Sequence, residues 1–258
     1  MTMKIRFLGT HNRETKTARC TSMLIDEELA LDAGSLTTSL TLKEQQRIKS
    51  ILITHAHHDH IKDVPSFSLN FYMRNLNIDI YATTYVINAL EMNLFNGDIY
   101  PEFHKLPAEK PTICYKQIVP LNPVRINNHE IIPLQVKHGK NTVGYHIKNN
   151  TNKTVFYTAD TGPHLTKCWE YISPQILIIE VTLPNRYGEF ALTSEHLTPG
   201  LLYEELVRFE ELKHYIPEII ITHMDPELEN EIEDEVKAIA EKLKAHVTFA
   251  REGLQITV

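Results

Sequence analysis

The sequence predicts a mixed α/β (α+β) protein built from layered sheets and helices. Three observations carry that prediction. Short apolar runs rich in Ile, Val and Leu recur along the chain at strand length. Amphipathic segments with proline in or near the first helical turn alternate with them. Histidine and aspartate residues stand where several of the apolar runs stop. At 258 residues the chain suits one large domain, taken here as residues 1–258.

Lys4–Leu8 alternates apolar and polar residues and reads as a first strand, with no hydrophobic stretch of signal-peptide type. Further strand candidates are Ser22–Asp26, Ala30–Asp32, Ile51–Thr54 and Ile78–Ala82. After them come Ile131–Lys137, Val143–Lys148, Thr154–Thr158, Ile176–Val181, Ile219–Thr222 and Val247–Ala250. A first helix follows Pro65. A second takes Thr198 as N-cap and Pro199 as its first residue, with Leu202, Leu206 and Phe209 on one side. A third starts at Asp225 before Pro226, and its Leu228, Ile232, Val236, Ile239 and Leu243 keep helical spacing. The stretch from Asn93 to Pro120 reads as irregular. One internal echo links Ile51-Leu52-Ile53-Thr54-His55 with Ile219-Ile220-Ile221-Thr222-His223. Two similar halves would each present a strand-end histidine to one site.

A formal net charge of −7 argues against a large polyanionic partner such as nucleic acid. It leaves room for a small anionic substrate held by local groups. No run reaches the length of a membrane span, so no membrane partner is expected. Cys20, Cys114 and Cys168 are odd in number and far apart. They read as reduced thiols of a cytoplasmic protein, not as a disulfide frame or a zinc site.

The 14 histidines are unevenly spread. His55, His57, Asp59 and His60 fall within six residues, directly after an apolar strand. Side chains two apart on an extended segment point the same way, so His55 and His57 can bind one ion together. Asp59 and His60 lie where the chain must turn and can face a second. Buried imidazoles and carboxylates are costly unless something binds them. Asp32, His138, Asp160 and His223 each stand where another apolar run ends, beside a turn. Their shared placement makes them candidate partners of the cluster.

The run His55-Ala56-His57-His58-Asp59-His60 resembles the signature of the metallo-β-lactamase superfamily. The order Asp32, histidine cluster, His138, Asp160, His223 follows that family's motifs over nearly the whole chain. The resemblance implies an αββα sandwich with the site at one edge. It implies one metal ion held by His55, His57 and His138, a second held by Asp59, His60 and His223, and Asp160 bridging them. Asp32 would orient the histidine loop from behind. The nitrogen and oxygen ligands suit two zinc ions and are compatible with manganese or iron. Two such ions can share a hydroxide nucleophile and clamp an in-line displacement.

A second segment, Ile176–Asn185 followed by Leu192-Thr193-Ser194-Glu195-His196-Leu197-Thr198-Pro199, resembles the C-terminal region of class II cyclic-nucleotide phosphodiesterases. Thr21-Ser22-Met23-Leu24 and Leu31-Asp32-Ala33-Gly34-Ser35 resemble the same group. Ribonuclease Z-type enzymes have a related Glu and His pair. His196 precedes a helix N-terminus, where free N–H groups favour an anion. It can protonate a leaving alkoxide, with Glu180 holding the imidazole and raising its pKa. His196, Glu180 and Asp59 are therefore the candidate catalytic residues. Glu195 stands where that group carries Gly, His58 where it carries an apolar residue, and Ile61–Pro65 lacks the group's Gly. Glu195 would repel an anion unless it points away, and His11 and His58 are further candidates for contact with substrate.

The expected function is a dinuclear-metal phosphodiesterase acting on a small phosphodiester, a 3′,5′-cyclic nucleotide foremost. A diiron sensor of oxygen or another small gas is the reading from a different class, against which the histidine at position 57 argues. A ribonuclease Z-like nuclease is the alternative enzyme, against which the acidic balance argues. A homodimer is the commonest symmetric assembly for such a protein.

Overall fold

The computed structural model describes residues 2–258. The first six strands lie in one sheet: β1 (Lys4–Gly9), β2 (Ser22–Ile25), β3 (Leu29–Leu31), β4 (Ser50–Leu52), β5 (Ile78–Ala82) and β6 (Ile113–Gln117). The next seven form a second: β7 (Val124–Ile126), β8 (His129–Gln135), β9 (Val143–Asn149), β10 (Thr154–Tyr157), β11 (Ile176–Glu180), β12 (Glu218–Thr222) and β13 (Val247–Phe249). β14 (Gln255–Thr257) returns to the first sheet beside β1. The orders are β14-β1-β2-β3-β4-β5-β6 and β13-β12-β11-β10-β9-β8-β7. The sheets share one pairing pattern: from β14 and from β7, three antiparallel pairings are followed by three parallel ones.

The sheets pack face to face. Ile5, Phe7, Met23 and Leu52 of one meet Ile131, Tyr145, Ile178 and Ile220 of the other in a common core. Alternate residues of the same strands serve the outer layers, as the two-residue period requires. Ile51 and Ile53 pack outward under the helices of the first sheet, and Leu177, Ile179, Ile219 and Ile221 under those of the second. Strands buried on both faces must be apolar throughout, which is why β11 and β12 read as unbroken Ile and Leu runs.

The first sheet carries α1 (Leu36–Ser39), α2 (Leu42–Gln45), α3 (His58–Ile61), α4 (Val64–Tyr72) and α5 (Thr84–Asn93). The second carries α6 (Thr166–Tyr171), α7 (Gly188–Ser194), α8 (Pro199–Lys213) and α9 (Glu229–Leu243). The result is the expected αββα sandwich. α8 starts as its sequence requires: the Thr198 hydroxyl accepts the Leu201 N–H, and Pro199 fills the first position, where no N–H is needed. Its Leu202, Leu206 and Phe209 are buried against the second sheet.

Two local expectations need correction. α9 begins at Glu229, not Asp225. The Asp225 carboxylate accepts the Glu227 N–H at 2.9 Å and the Nε and Nη2 donors of Arg13, closing a turn instead of starting a helix. The stretch Asn93 to Pro120 contains β6, which pairs parallel with β5 at a sheet edge. One side of an edge strand meets solvent, so Cys114-Tyr115-Lys116-Gln117 shows no clean alternation. β7 and β14 are likewise short edge strands without a sequence signal of their own. Asp59 and His60 lie in the single helical turn α3, at the place where the sequence requires the chain to turn.

Candidate metal centre

The strand ends β3, β4, β10, β11 and β12 open onto one edge of the sandwich, and the polar residues after them meet there. Asp32 follows β3, Asp160 lies three residues past β10, and His223 directly follows β12. His55 and His57 lie between β4 and α3, and α3 carries Asp59 and His60. His138 follows β8. The ligand atoms of His55, His57, His138 and Asp160 lie within 4.8 Å of one another. So do those of Asp59, His60, Asp160 and His223, and those of Glu180, His196 and His223.

Asp160 belongs to the first two groups. Its Oδ2 is 3.6 Å from His55 Nε2 and 3.8 Å from His138 Nε2. Its Oδ1 is 3.1 Å from His60 Nε2 and 3.2 Å from His223 Nε2. One oxygen thus faces each cluster. His55 Nε2 and Asp160 Oδ1 are buried and make no properly angled hydrogen bond. His57 Nδ1 and His138 Nε2 face each other at 3.0 Å. Buried polar atoms without partners are costly, and convergent, unpaired ring nitrogens and carboxylate oxygens are what a divalent cation satisfies. The donor set, two groups that share Asp160, therefore suits divalent metal ions.

Four of the five cluster histidines have their inward nitrogen fixed by what holds the other side of the ring. His60 Nδ1 donates to Asp32 Oδ2 at 2.8 Å. His138 Nδ1 donates to the Glu195 carbonyl at 2.9 Å. The Thr54 hydroxyl has one proton and gives it to Asp32, so it accepts from His55 Nδ1 at 3.0 Å. Thr182 does the same on the other sheet, donating to Glu180 Oε2 at 2.7 Å and accepting from His223 Nδ1 at 3.0 Å. In every case Nε2 is left facing the centre. Burial pushes His55 far below the ordinary imidazole pKa, and positive His60 beside it adds to the shift. Partial desolvation and the neighbouring His138 also lower the more exposed His57. Both are thereby held neutral, the form a metal needs. Burial also opposes charge on His60, but Asp160, Asp59 and Asp32 outweigh it and favour a cation there.

His196 stands beside both clusters, its ring 4.7 Å from that of His138 and 5.6 Å from that of His223. Its Nδ1 is 2.7 Å from Glu180 Oε1. Burial pulls the imidazole pKa down, but the Glu180 carboxylate overrides this and lifts it to about 9. Glu180 is fully buried and also accepts the N–H groups of Thr161, Thr182 and Leu197.

Glu195 is the C-cap of α7, in the left-handed region at φ 58°. Its carboxylate accepts the Gly139 N–H at 2.7 Å, which ties it to the His138 loop. His11 does not join either cluster; its ring nitrogens meet Glu252 and Glu229. His58 is exposed on α3 and is in none of the three groups. Thr54, Thr182 and Tyr157, whose hydroxyl donates to Asp32 at 2.9 Å, are residues the sequence reading missed. A threonine directly before His55, and another two residues past Glu180, were the available signals.

The sequence model of the family described as "Beta-lactamase superfamily domain" matches residues 29–247. A protein of Yersinia pestis named "Probable 3′,5′-cyclic-nucleotide phosphodiesterase" is 25% identical, over 70% of this chain and 58% of its own length. A "3′,5′-cyclic-nucleotide phosphodiesterase" of Aliivibrio fischeri is 25% identical, over 74% of this chain and 71% of its own length. This chain thus spans little more than half of the Yersinia protein. Among solved structures, unliganded yeast PDE1 superposes with a TM-score of 0.84 at 18% identity, covering 100% of this chain and 99% of that one. The short form of human tRNase Z superposes at 0.67 with 17% identity, covering 98% of each chain. These superpositions establish the shared fold.

Proposed function

The chain belongs to the beta-lactamase superfamily, and on that footing we propose that it hydrolyses a small phosphodiester, with 3′,5′-cyclic nucleotides as the substrate class. The names of its relatives in Yersinia pestis and Aliivibrio fischeri support the substrate. The observation that carries the chemistry is the His196–Glu180 pair, 2.7 Å apart and set against both ligand clusters. Both sheets contribute residues to those clusters, so we take residues 1–258 as one catalytic unit. Three free cysteines support a reducing compartment such as the cytoplasm.

In this reading His55, His57 and His138 would hold one divalent ion and Asp59, His60 and His223 a second, with Asp160 available to both. Zinc suits these ligands, as do manganese and iron. Bound ions supply Lewis-acid polarisation of the phosphoryl oxygens and an activated water at neutral pH. Asp32 and Thr54 keep the ring nitrogens of His55 and His60 turned inward, and Thr182 does so for His223. His196 donates its Nε2 proton to the departing ribose oxygen while Glu180 holds Nδ1–H and stabilises the charged ring. An imidazole already oriented by a buried carboxylate needs no reorganisation at the moment of bond breaking.

The test is direct. The purified protein is assayed for metal content and for turnover of cyclic AMP, cyclic GMP and bis-p-nitrophenyl phosphate, beside His196→Ala. Diester turnover that collapses in the variant while the metals are retained is the expected result. Absence of turnover after loading with zinc, manganese or iron would sink the reading. Iron with an oxygen-dependent absorption band would turn it toward gas sensing.

A further inference from the structure

One small cavity adjoins the centre on the His57 side, and a second lies next to it. The smaller, about 100 Å³, is lined by His55, His57, Tyr85, Lys140 and Thr142. The larger, about 240 Å³, is bounded by Tyr85, Gln117, Pro120, Gln135 and Asn141, with buried Ile118 and Val143 among its lining. Tyr85 lines both, and the segment 140–143 runs along both. Together they make a groove leading out from the ligand cluster.

The two parts differ in chemistry. The part next to the histidines has Lys140, which is exposed and has no ion pair among the described residues. In a chain with net charge −7, an unpaired cation beside a metal centre is suited to an anion. The outer part has no charged residue in its lining. It offers a half-exposed phenol ring, an apolar floor and three side-chain amides that make no hydrogen bond among the described residues. A neutral, flat heterocycle with polar edges satisfies all of these. A lipid chain would leave the amides unpaired, and a bare alkyl diester would leave the outer part empty.

We propose that this groove is the nucleobase subsite: the base stacks on Tyr85, its polar edge faces Gln117, Gln135 and Asn141, and Lys140 approaches the phosphate. The assignment rests on the phosphodiesterase reading and extends it to how the nucleotide is gripped. Stacking on an aromatic ring is tolerant of base identity, so Tyr85 selects nucleotides over simple diesters. The amides discriminate one base edge from another.

The experiment is calorimetric titration of the metal-loaded protein with adenosine 5′-monophosphate and with ribose 5-phosphate, which lacks the base. Tyr85→Ala should weaken the nucleotide by about fivefold or more and leave ribose 5-phosphate within about twofold, with Tyr85→Phe restoring nucleotide affinity. Lys140→Ala should weaken both ligands. No nucleotide binding by the wild type, unchanged nucleotide affinity in Tyr85→Ala, or equal loss for both ligands would overturn the subsite. Cyclic-nucleotide turnover without any dependence on Tyr85 removes the subsite and leaves the enzyme reading standing. Tyr85-dependent nucleotide binding without turnover does the reverse.

Discussion

Replacing Asp32 by asparagine tests whether a carboxylate behind the histidines governs metal binding. Asp32 is fully buried and accepts from the Thr54 N–H at 2.8 Å, the Thr54 hydroxyl at 3.0 Å, Tyr157 at 2.9 Å and His60 Nδ1 at 2.8 Å. The asparagine side chain has the same shape but one oxygen fewer. The Thr54 backbone N–H cannot turn away, so the amide oxygen must face it. The amide NH₂ then faces His60 Nδ1. Either two donors confront each other, or the His60 proton moves to Nε2 and blocks the inward nitrogen.

Loss of such an orienting partner costs metal affinity about 10- to 100-fold. Loss of one charge-assisted hydrogen bond costs about 1.5 to 3 kcal/mol, a fall in Tm of roughly 3 to 10 °C for a chain of this size. Competition with a chromophoric chelator reads the first, and thermal unfolding in excess chelator reads the second. Tyr157→Phe is the control: it removes another donor to Asp32 without touching the His60 tautomer, so it should cost about 1 kcal/mol and leave metal affinity alone. If Asp32→Asn unfolds earlier yet binds metal like the wild type, the tautomer argument is wrong and Asp32 is only a packing element.

His196→Ala should lower kcat about 10²- to 10⁴-fold with the metal content unchanged; loss of metal along with activity would make His196 a ligand instead of a proton donor. Chelating the metals should lower Tm, because ions that bind only the folded state add about 2.7 kcal/mol at a hundred times Kd; an unchanged melting curve would mean the clusters bind no ion. A Cβ on Gly34 would overlap the Asp59 carbonyl and the Thr21 carbonyl, so Gly34→Ala should displace α3 and deplete the Asp59–His60 metal first, as metal analysis of the soluble fraction would reveal. Burial opposes the charged form of His11, but Glu252 and Glu229 outweigh it and raise its pKa. A raised folded-state value stabilises fully below about pH 6.5 and is lost as pH rises through it. The stability gap between wild type and His11→Asn in denaturant titrations should therefore be wider near about pH 6 than near about pH 9. A gap independent of pH would show that the ion pairs contribute nothing.

The layered fold was legible because β11 and β12 are buried on both faces and so cannot alternate, while α8 carries an explicit Thr-Pro start. The convergence of His55, His138, Asp160 and His223 was legible because each polar residue interrupts an apolar run near its end. What could not be read lies where burial is partial or where partners are distant in sequence. β6, β7 and β14 sit at sheet edges, so only some of their residues face the core. The start of α9 depended on whether Asp225 would cap or bind Arg13, and Arg13 is more than 200 residues away. The echo between β4 and β12 also misled in one respect. Both strands end before a site histidine, but β4 is the fifth strand of its sheet and β12 the sixth of its own, counted from β14 and β7. The shared pairing order instead matches β3 with β10, the strands that lead to Asp32 and Asp160.

That matching exposes a common device. On each sheet a buried carboxylate takes a threonine hydroxyl proton, and the threonine takes the Nδ1 proton of a candidate ligand: Asp32–Thr54–His55 on one side, Glu180–Thr182–His223 on the other. Burying two carboxylates is tolerable only because each accepts at least four hydrogen bonds. The backbone is bent to allow it: Asp32, Ala159, Glu195 and His223 are all in the left-handed region, a conformation costly for residues with a Cβ. The two hubs differ in one respect that bears on function. The imidazoles that Asp32 holds, His60 directly and His55 through Thr54, all turn their free nitrogens to the clusters. Glu180 holds one such imidazole through Thr182 and, directly, the imidazole of His196, whose free Nε2 has no hydrogen bond among the described residues. The same carboxylate thus orients both a candidate metal ligand and the proposed proton donor. Both rings are thereby referred to one fully buried side chain.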